Sequence, residues 1–386
     1  MKSFLEDLGR LSPKQQVQAK QAIQFFVREG DRTIPEFCQI SLLSVPTATK
    51  AITELVERGI LMETGRRESG GGRPPAKFGV NPKAGYVISM ELTLNLFKIQ
   101  IVNLAHEVIY EQEIDDFDIT RRDESFALLE RIVPAIIAEQ QLTIDKILGV
   151  GIGITGRVNS KNGSSHSYLN FQEPLVTLLQ RSWNLPVFID NDTHLMTLGE
   201  QTFGLAQGVE NALFINLSRG LGVGLISGGN IHIGGSGFAG EFGHIPFSEN
   251  NRQCICGKTG CLETVVSGIA LESLFEEQTG ERFSYHHLLK RANAGDVGIS
   301  AMLTQMGENL GKAASILIQV FNPQLIVVGG GFAPVAEQIK YAIQRGINVY
   351  GLPQLIENCE LKVSLMGEQA TMLGAYELVI ENILQI

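Results

Sequence analysis

Cysteine is scarce, with five residues in a chain of 386, which excludes the dense disulfide framework of a small exported scaffold. Long apolar runs are absent too. No stretch approaches the ~20 residues needed to cross a bilayer, and the opening Met1-Lys2-Ser3-Phe4-Leu5-Glu6-Asp7 lacks the apolar core of a signal peptide. Both absences point to a cytoplasmic protein that does not enter the membrane. Positive charge is in deficit, 31 Lys and Arg against 41 Asp and Glu. The deficit is uneven: residues 1–80 hold 12 basic against 9 acidic side chains, a balance of +3, and the remainder holds 19 against 32, or −13. An acidic body with a mildly basic head suits a protein that touches nucleic acid through its N-terminus. The 44% hydrophobic and 19% charged residues describe a globular chain with a sizeable core, long enough for two or three domains.

Three of the five cysteines fall within eight positions, Cys254, Cys256 and Cys261, and His244 lies shortly upstream. One imidazole and three thiolates are a full tetrahedral set for zinc, leaving no position for a catalytic water, so the metal reads as a structural cross-link. The other reading is a group of small buried cysteines with a core histidine. Glu241 and Glu263 flank the same glycine-rich loop and are candidate acceptors for a polyhydroxylated ligand. Cys38 and Cys359 stand alone among apolar neighbours and read as buried thiols.

The first 80 residues carry three helical patterns. Residues 13–29 place Val17, Ile23, Phe26 and Val27 on roughly one face, with Gly30 as a stop. Thr33 caps a second helix to about Ile40, and Ser44 or Thr47 opens a third that ends near Gly59. An apolar strand from Ile60, a glycine-rich basic tip and a returning strand follow, which together predict a winged helix-turn-helix. Thr47, Thr49 and Lys50 are the candidate base or phosphate contacts on its last helix, and Arg66, Arg67 and Arg73 those on the wing. A solvated linker is the alternative.

From Gly85 the texture changes to three short strands in a meander, a helix over Glu124–Gln140, and the apolar strand Ile147–Ile154 ending at the glycine turn Thr155-Gly156-Arg157. A polar loop with Asn170, a helix over Leu175–Trp183 and a strand from Val187 lead to Asp190-Asn191-Asp192-Thr193, where ligands of open α/β sheets gather. A second meander begins at Ala212, through Leu213–Leu217, the turn Ser218-Arg219-Gly220-Leu221-Gly222, Val223–Ser227 and Asn230–Ile233. A long helix over Val297–Phe321 precedes the strand from Leu325 to Gly331. Two halves that each start with a meander suggest an internal duplication with a ligand cleft between them.

Gly240-Glu241-Phe242-Gly243-His244, the cysteine loop through Ser267, and Asn191-Asp192 together resemble the ROK family of repressors and sugar kinases over nearly the whole chain. The Gly71-Gly72-Arg73-Pro74-Pro75 wing is similar to its repressor branch, which includes xylose and N-acetylglucosamine repressors. The resemblance implies an α/β protein: a winged helix-turn-helix at 1–80, a first actin-like, hexokinase-like (ribonuclease H-like) lobe at 81–192, and a second at 193–386 with the zinc loop, its last helix free to return to the first lobe. It implies zinc on His244, Cys254, Cys256 and Cys261. Sugar contacts fall on Gly156, Asn170, Asn191, Asp192, Glu241, His244 and Glu263. A homodimer or homotetramer and operator DNA are the implied partners, with a sugar or sugar phosphate as the small-molecule ligand.

In family kinases the residue at the place of Asp192 is the general base. The phosphate loops depart from the kinase pattern. Where kinases resemble Asp-x-Gly-x-Thr this chain reads Glu91-Leu92-Thr93-Leu94-Asn95, and where they resemble Gly-Thr-Gly-x-Gly it reads Ser218-Arg219-Gly220-Leu221-Gly222. Phosphoryl transfer rests on positioning the phosphates and their metal, so these losses predict a sugar-responsive DNA-binding repressor of carbohydrate-utilisation genes. The alternatives are an ATP-dependent sugar kinase retaining a DNA-binding head, with Asp192 catalytic, and a scaffold that binds a protein through its acidic lobes.

Overall fold

Ser12 and Gln15 open the first helix, α1 (Pro13–Glu29), as a reciprocal pair in which each side chain serves the other's backbone. The structure is a computed structural model that describes residues 8–66, 74–367 and 369–385. After β1 (Arg32–Thr33), Thr33 and Glu36 repeat the device at α2 (Ile34–Ser41), the Thr33 N–H donating to Glu36 Oε2 at 2.8 Å. Ser44 precedes α3 (Val45–Glu57). The strands β2 (Leu61–Arg66) and β3 (Ala76–Val80) pair antiparallel, and β1 adds to β3. This is the winged helix-turn-helix that the sequence predicts. Its wing tip, with Arg67 and Arg73, lies outside the described residues.

The head's core is set by Ala19, Ala22, Ile23 and Phe26 of α1 with Phe37, Ala48, Ile52 and Leu55. Their 3–4 spacing on α1 defines the buried stripe, and Val17, expected on it, lies off it and is 40% exposed. Phe25 and Phe26 close on Phe37 with ring centroids 5.2 and 6.0 Å away. Cys38, read from sequence as buried, is half-buried, because its neighbour Phe37 takes the core position on α2.

The first lobe begins with a meander of β4 (Tyr86–Leu92), β5 (Phe97–Asn103) and β6 (Val108–Ile114). It continues through α4 (Arg122–Glu139), β7 (Ile147–Ile154), a small hairpin of β8 (Val158–Asn159) and β9 (Ser164–Ser165), α5 (Leu175–Trp183) and β10 (Val187–Asn191). The sheet order is β10-β7-β4-β5-β6, with β7 parallel to both β4 and β10. Every residue of β7 is buried, as a strand covered on both faces requires.

The second lobe repeats that plan. The helix α6 (Asp192–Phe203) leads to β11 (Ala212–Leu217), β12 (Leu221–Ser227) and β13 (Asn230–Ile231). Then come α7 (Gly268–Thr279), α8 (Tyr285–Asn293), α9 (Val297–Phe321), β14 (Leu325–Gly329), α10 (Ala336–Tyr350), α11 (Pro353–Ile356) and β15 (Glu360–Val363). The order β13-β12-β11-β14-β15 again runs third, second, first, fourth, fifth. The third strand stops two residues short of Ile233, where the chain turns into the glycine-rich loop at Gly234. Cys359, just before the edge strand β15, packs half-buried against the rim of this core rather than inside it. Among the described residues no helix is long and apolar enough to cross a membrane.

Two compact units emerge, 1–191 with 375–386, and 192–374. The last helix, α12 (Gln369–Ile383), contains the second boundary. Its later part is seated on β7, where a Cβ at Gly151 would lie 2.1 Å from the Ala375 carbonyl, so glycine is needed for the approach. The His106 ring meets Tyr376 edge-on at 5.0 Å, and burial holds that imidazole below its usual pKa. The same helix holds the head. Glu377, with a fully buried side chain, takes the Arg28 guanidinium on Oε1, with Nε at 3.0 Å, and Glu381 adds a contact at 3.0 Å. Gln24 and Lys20 donate to the Leu384 and Gln385 carbonyls at 3.2 and 2.6 Å.

Glu377 Oε2 is buried without a hydrogen-bond partner among the described residues. Burial outweighs the opposing pull of Arg28 and pushes this carboxyl up to about 7. A raised carboxyl pKa contributes stability that is complete below its unfolded value near 4.5 and is lost as pH rises through about 7. The melting temperature of Glu377→Gln should therefore gain on the wild type by a few degrees between pH 5 and pH 8. A constant difference across that range would show that the buried charge is fully compensated by Arg28.

Candidate functional site

Gly240 fixes the entry to the cysteine loop. Its φ is +90°, and a Cβ there would stand 1.7 Å from the Val223 carbonyl, so only glycine lets the loop lie against β12. The Val223 N–H donates to the Gly240 carbonyl at 3.0 Å. A single turn of 3-10 helix, Phe242–His244, then buries Phe242 and leaves Glu241 and His244 partly exposed beside it. His244 Nδ1 lies 3.4 Å from Cys254 Sγ, and Nε2 lies 3.6 Å from Glu241 Oε2. Cys256 and Cys261 bring their sulfurs to 3.6 Å.

The donor atoms of His244, Cys254, Cys256 and Cys261 all lie within 4.8 Å of one another, a group that could hold a metal ion. The loop is shaped for it. The Cys254 N–H donates to the Lys258 carbonyl at 2.7 Å and the Gly257 N–H to the Cys254 carbonyl at 2.9 Å. Bridges at Pro246–Cys261 and Gln253–Thr259 close the rest. Burial pushes the Cys254 thiol up to about 12, so in the protein alone it keeps its proton and a cation is needed to make the thiolate favourable. One nitrogen and three sulfurs fill a tetrahedron, and Glu241 stands where a carboxylate orients the second imidazole nitrogen.

Glu263 does more than the sequence suggests. It sits in a turn of 3-10 helix, Leu262–Thr264, directly after Cys261, and is buried. Its Oε2 accepts the Leu221 N–H at 3.1 Å, while Oε1 faces Cys254 Sγ at 3.8 Å. This carboxylate therefore joins the cysteine loop to the turn at 218–222. No sequence signal marks the bond, since residues 221 and 263 are 42 apart.

That turn is closed on itself. Ser218 Oγ donates to Asn216 Oδ1 at 2.6 Å and accepts the Gly331 N–H at 2.9 Å. The Ser218 and Arg219 carbonyls accept from Gly268 and Ile269 N–H at 2.8 and 3.1 Å, and the Ser218 N–H bonds the Gly220 carbonyl at 3.1 Å. Backbone donors at 218, 221 and 331 are spent inside the protein rather than turned toward an anion. The first loop is similarly closed, the Thr93 N–H donating to the Leu96 carbonyl at 2.9 Å beside the buried Glu91.

The remaining sugar candidates are placed in two groups. In the first unit, Asn191 Nδ2 donates to the Gly156 carbonyl at 2.8 Å and so holds the glycine turn at the end of β7. Asn170 is exposed and follows the buried Leu169, whose φ of +50° is a strained value for leucine. The Asn170 carbonyl accepts from Arg122 Nη1 at 3.4 Å. In the second unit, Asp192 opens α6 with Oδ1 accepting the Thr193 N–H at 2.7 Å. Glu241, His244 and Glu263 stand together on the cysteine loop.

In the head, Thr47 Oγ1 and Ser44 Oγ bond each other at 2.8 Å, and Thr49 Oγ1 donates to the Val45 carbonyl at 2.8 Å. Lys50 and Arg66 are exposed. Arg67 and Arg73 lie outside the described residues.

A winged helix-turn-helix followed by two lobes that repeat one five-stranded plan, with a His and Cys loop in the second, defines an actin-like, two-lobed protein with an N-terminal recognition module. The chain belongs to the ROK family, whose pattern matches residues 87–382. It is 27% identical over 358 residues to a xylose repressor of Caldicellulosiruptor bescii, covering 89% of this chain and 90% of that protein. It is also 27% identical over 384 residues to the DNA-binding transcriptional dual regulator NagC of Escherichia coli, covering 96% and 94%. Among solved structures, a ROK family transcriptional regulator described as a homologue of the E. coli Mlc protein superposes with a TM-score of 0.80 at 29% identity, covering 96% of each chain. A ROK family glucokinase from Streptomyces griseus shares the fold at a TM-score of 0.66 and 24% identity, covering 76% of this chain and 99% of its own.

The cluster predicts a measurable cation. Elemental analysis of the purified protein should find close to one metal ion per chain, and Cys256→Ser should lower both metal content and melting temperature. A metal-free wild type that melts at the same temperature after chelation would remove the centre from the account.

Proposed function

We propose that this protein is a sugar-responsive transcriptional repressor of carbohydrate-utilisation genes, with operator DNA bound by the head and a sugar or sugar phosphate bound by the lobes. The observation that carries this reading is the contrast inside the second unit. Glu241, His244 and Glu263 are gathered on a braced loop, as a polyol site needs, while at the turn 218–222 the Ser218 and Leu221 N–H groups, with that of Gly331 beside them, are bonded inward. A nucleotide requires those donors, and a sugar does not. The names of the repressor relatives and the match to a transcriptional regulator over 96% of each chain support the same reading.

The metal of the cluster is zinc in this proposal, held by His244, Cys254, Cys256 and Cys261 as a structural ion that keeps Glu241 and Glu263 in place. Asn170, Asn191 with Gly156, and Asp192 complete the sugar contacts. Thr47, Thr49, Lys50, Arg66, Arg67 and Arg73 are the DNA contacts, in a cytoplasmic homodimer or homotetramer. Asp192 accepts a sugar hydroxyl here and takes no proton from it. Its carboxylate is worth on the order of 1.5–3 kcal/mol to sugar binding if that bond is buried.

Two measurements test the reading together. A thermal-shift screen against monosaccharides, amino sugars and their phosphates should yield a sugar that raises the melting temperature of the wild type and raises that of Asp192→Asn less. ATP consumption with that sugar should stay at background. Turnover near ~1 s⁻¹ or faster, abolished by Asp192→Asn, would make the protein a kinase.

A further inference from the structure

The first turn of α3 carries the side chains that meet base edges when a recognition helix enters a major groove. Its hydroxyls are engaged locally, Ser44 with Thr47 and Thr49 with the Val45 carbonyl. Pro46 has no N–H. The turn also presents apolar surface: Val45 is 56% exposed, and Leu42 and Ile40 just before it are 89% and 65% exposed. Leu42 is held outward by a left-handed φ of +57° at the end of α2, with its N–H donating to the Cys38 carbonyl at 3.1 Å.

A cluster of exposed large apolar side chains marks an interaction surface, and its charged surroundings select the partner. Lys50 follows on the same helix and Arg66 ends β2, both exposed, in a head of charge +3 on a body of charge −13. That setting complements a polyphosphate with an apolar feature inside its groove. The C5-methyl of thymine is such a feature on the major-groove edge of a base pair.

We propose that Val45 is a specificity-determining residue that reads thymine by packing on its C5-methyl, with Leu42 extending the apolar strip. The inference rests on the operator-binding reading and adds to it the base that α3 selects and the means of selection. Lys50 and Arg66 then supply affinity that does not depend on sequence.

The test uses the full chain and a duplex that it selects from a random-sequence library. Each thymine of that duplex is replaced in turn by deoxyuridine, which lacks only the methyl group. The wild type should lose affinity roughly threefold to tenfold at a few thymines in each half-site, the scale of burying one methyl group. Val45→Ala should bind the parent duplex more weakly by a similar factor and be indifferent to uracil at those positions. Its salt dependence and melting temperature should match the wild type, since phosphate contacts and the core are untouched. Indifference of the wild type to every uracil overturns the inference, as does full uracil sensitivity in Val45→Ala. A Val45→Ala protein that binds DNA normally but sediments as a smaller species assigns the strip to a second copy of the chain and also overturns it. If the wild type selects no duplex at all, the operator-binding reading fails as well, which separates that failure from a failure of thymine reading alone.

Discussion

The Glu263 carboxylate is the constraint on which the functional part of the second lobe depends. It is buried, and burying a carboxylate is costly unless its oxygens find partners. One partner is the Leu221 N–H and the other neighbour is Cys254 Sγ, so the buried side chain keeps its partners only while the cysteine loop and the 218–222 turn keep their places. A metal on the four donors would fix the loop side of this link. The turn side is fixed by Ser218, whose hydroxyl bonds both Asn216 and Gly331. The lobe thus has a rigid platform for polar contacts, and backbone donors of the 218–222 turn are used to build it.

The first unit has an equivalent anchor in α12. Glycine at 151 lets the helix backbone reach β7, and Tyr376 covers His106 at the turn between β5 and β6. On the same helix Glu377 and Glu381 hold Arg28 of the head. The buried carboxylate is the expensive member of this set. An ion pair with one partner fully buried adds less to stability than its geometry suggests, because desolvation opposes the attraction. Its value lies in position, since it ties α1 of the head to α12 within the first unit.

Much of this was legible in the sequence because periodicity and punctuation agreed. Thr33 as a cap, Gly30 as a stop, and the apolar runs at Ile147 and Leu325 each mark an element to within a residue or two. The duplication followed from the two meanders, and the shared sheet order bears it out. The His and Cys spacing found the donor cluster, since a metal site's ligands lie close along the chain. What stayed hidden depends on contacts between distant residues. Nothing near Glu377 names Arg28 as its partner, 349 residues away, and nothing near Glu263 names Leu221. Val17 lies off the buried stripe of α1, which starts at Ala19 and runs through Ala22, Ile23, Phe25, Phe26 and Val27.

The central claim is that one chain couples a sugar to DNA. A ligand shifts such an equilibrium only by the difference in its affinity for the two states, so the coupling is directly readable as a change in DNA affinity. The decisive measurement is the affinity of the full-length protein for a duplex that it has selected, taken across monosaccharides, amino sugars and their phosphates. The account predicts that one class of sugar changes that affinity by about tenfold or more, with no nucleotide present. DNA affinity that stays the same with every sugar that binds the protein would contradict it.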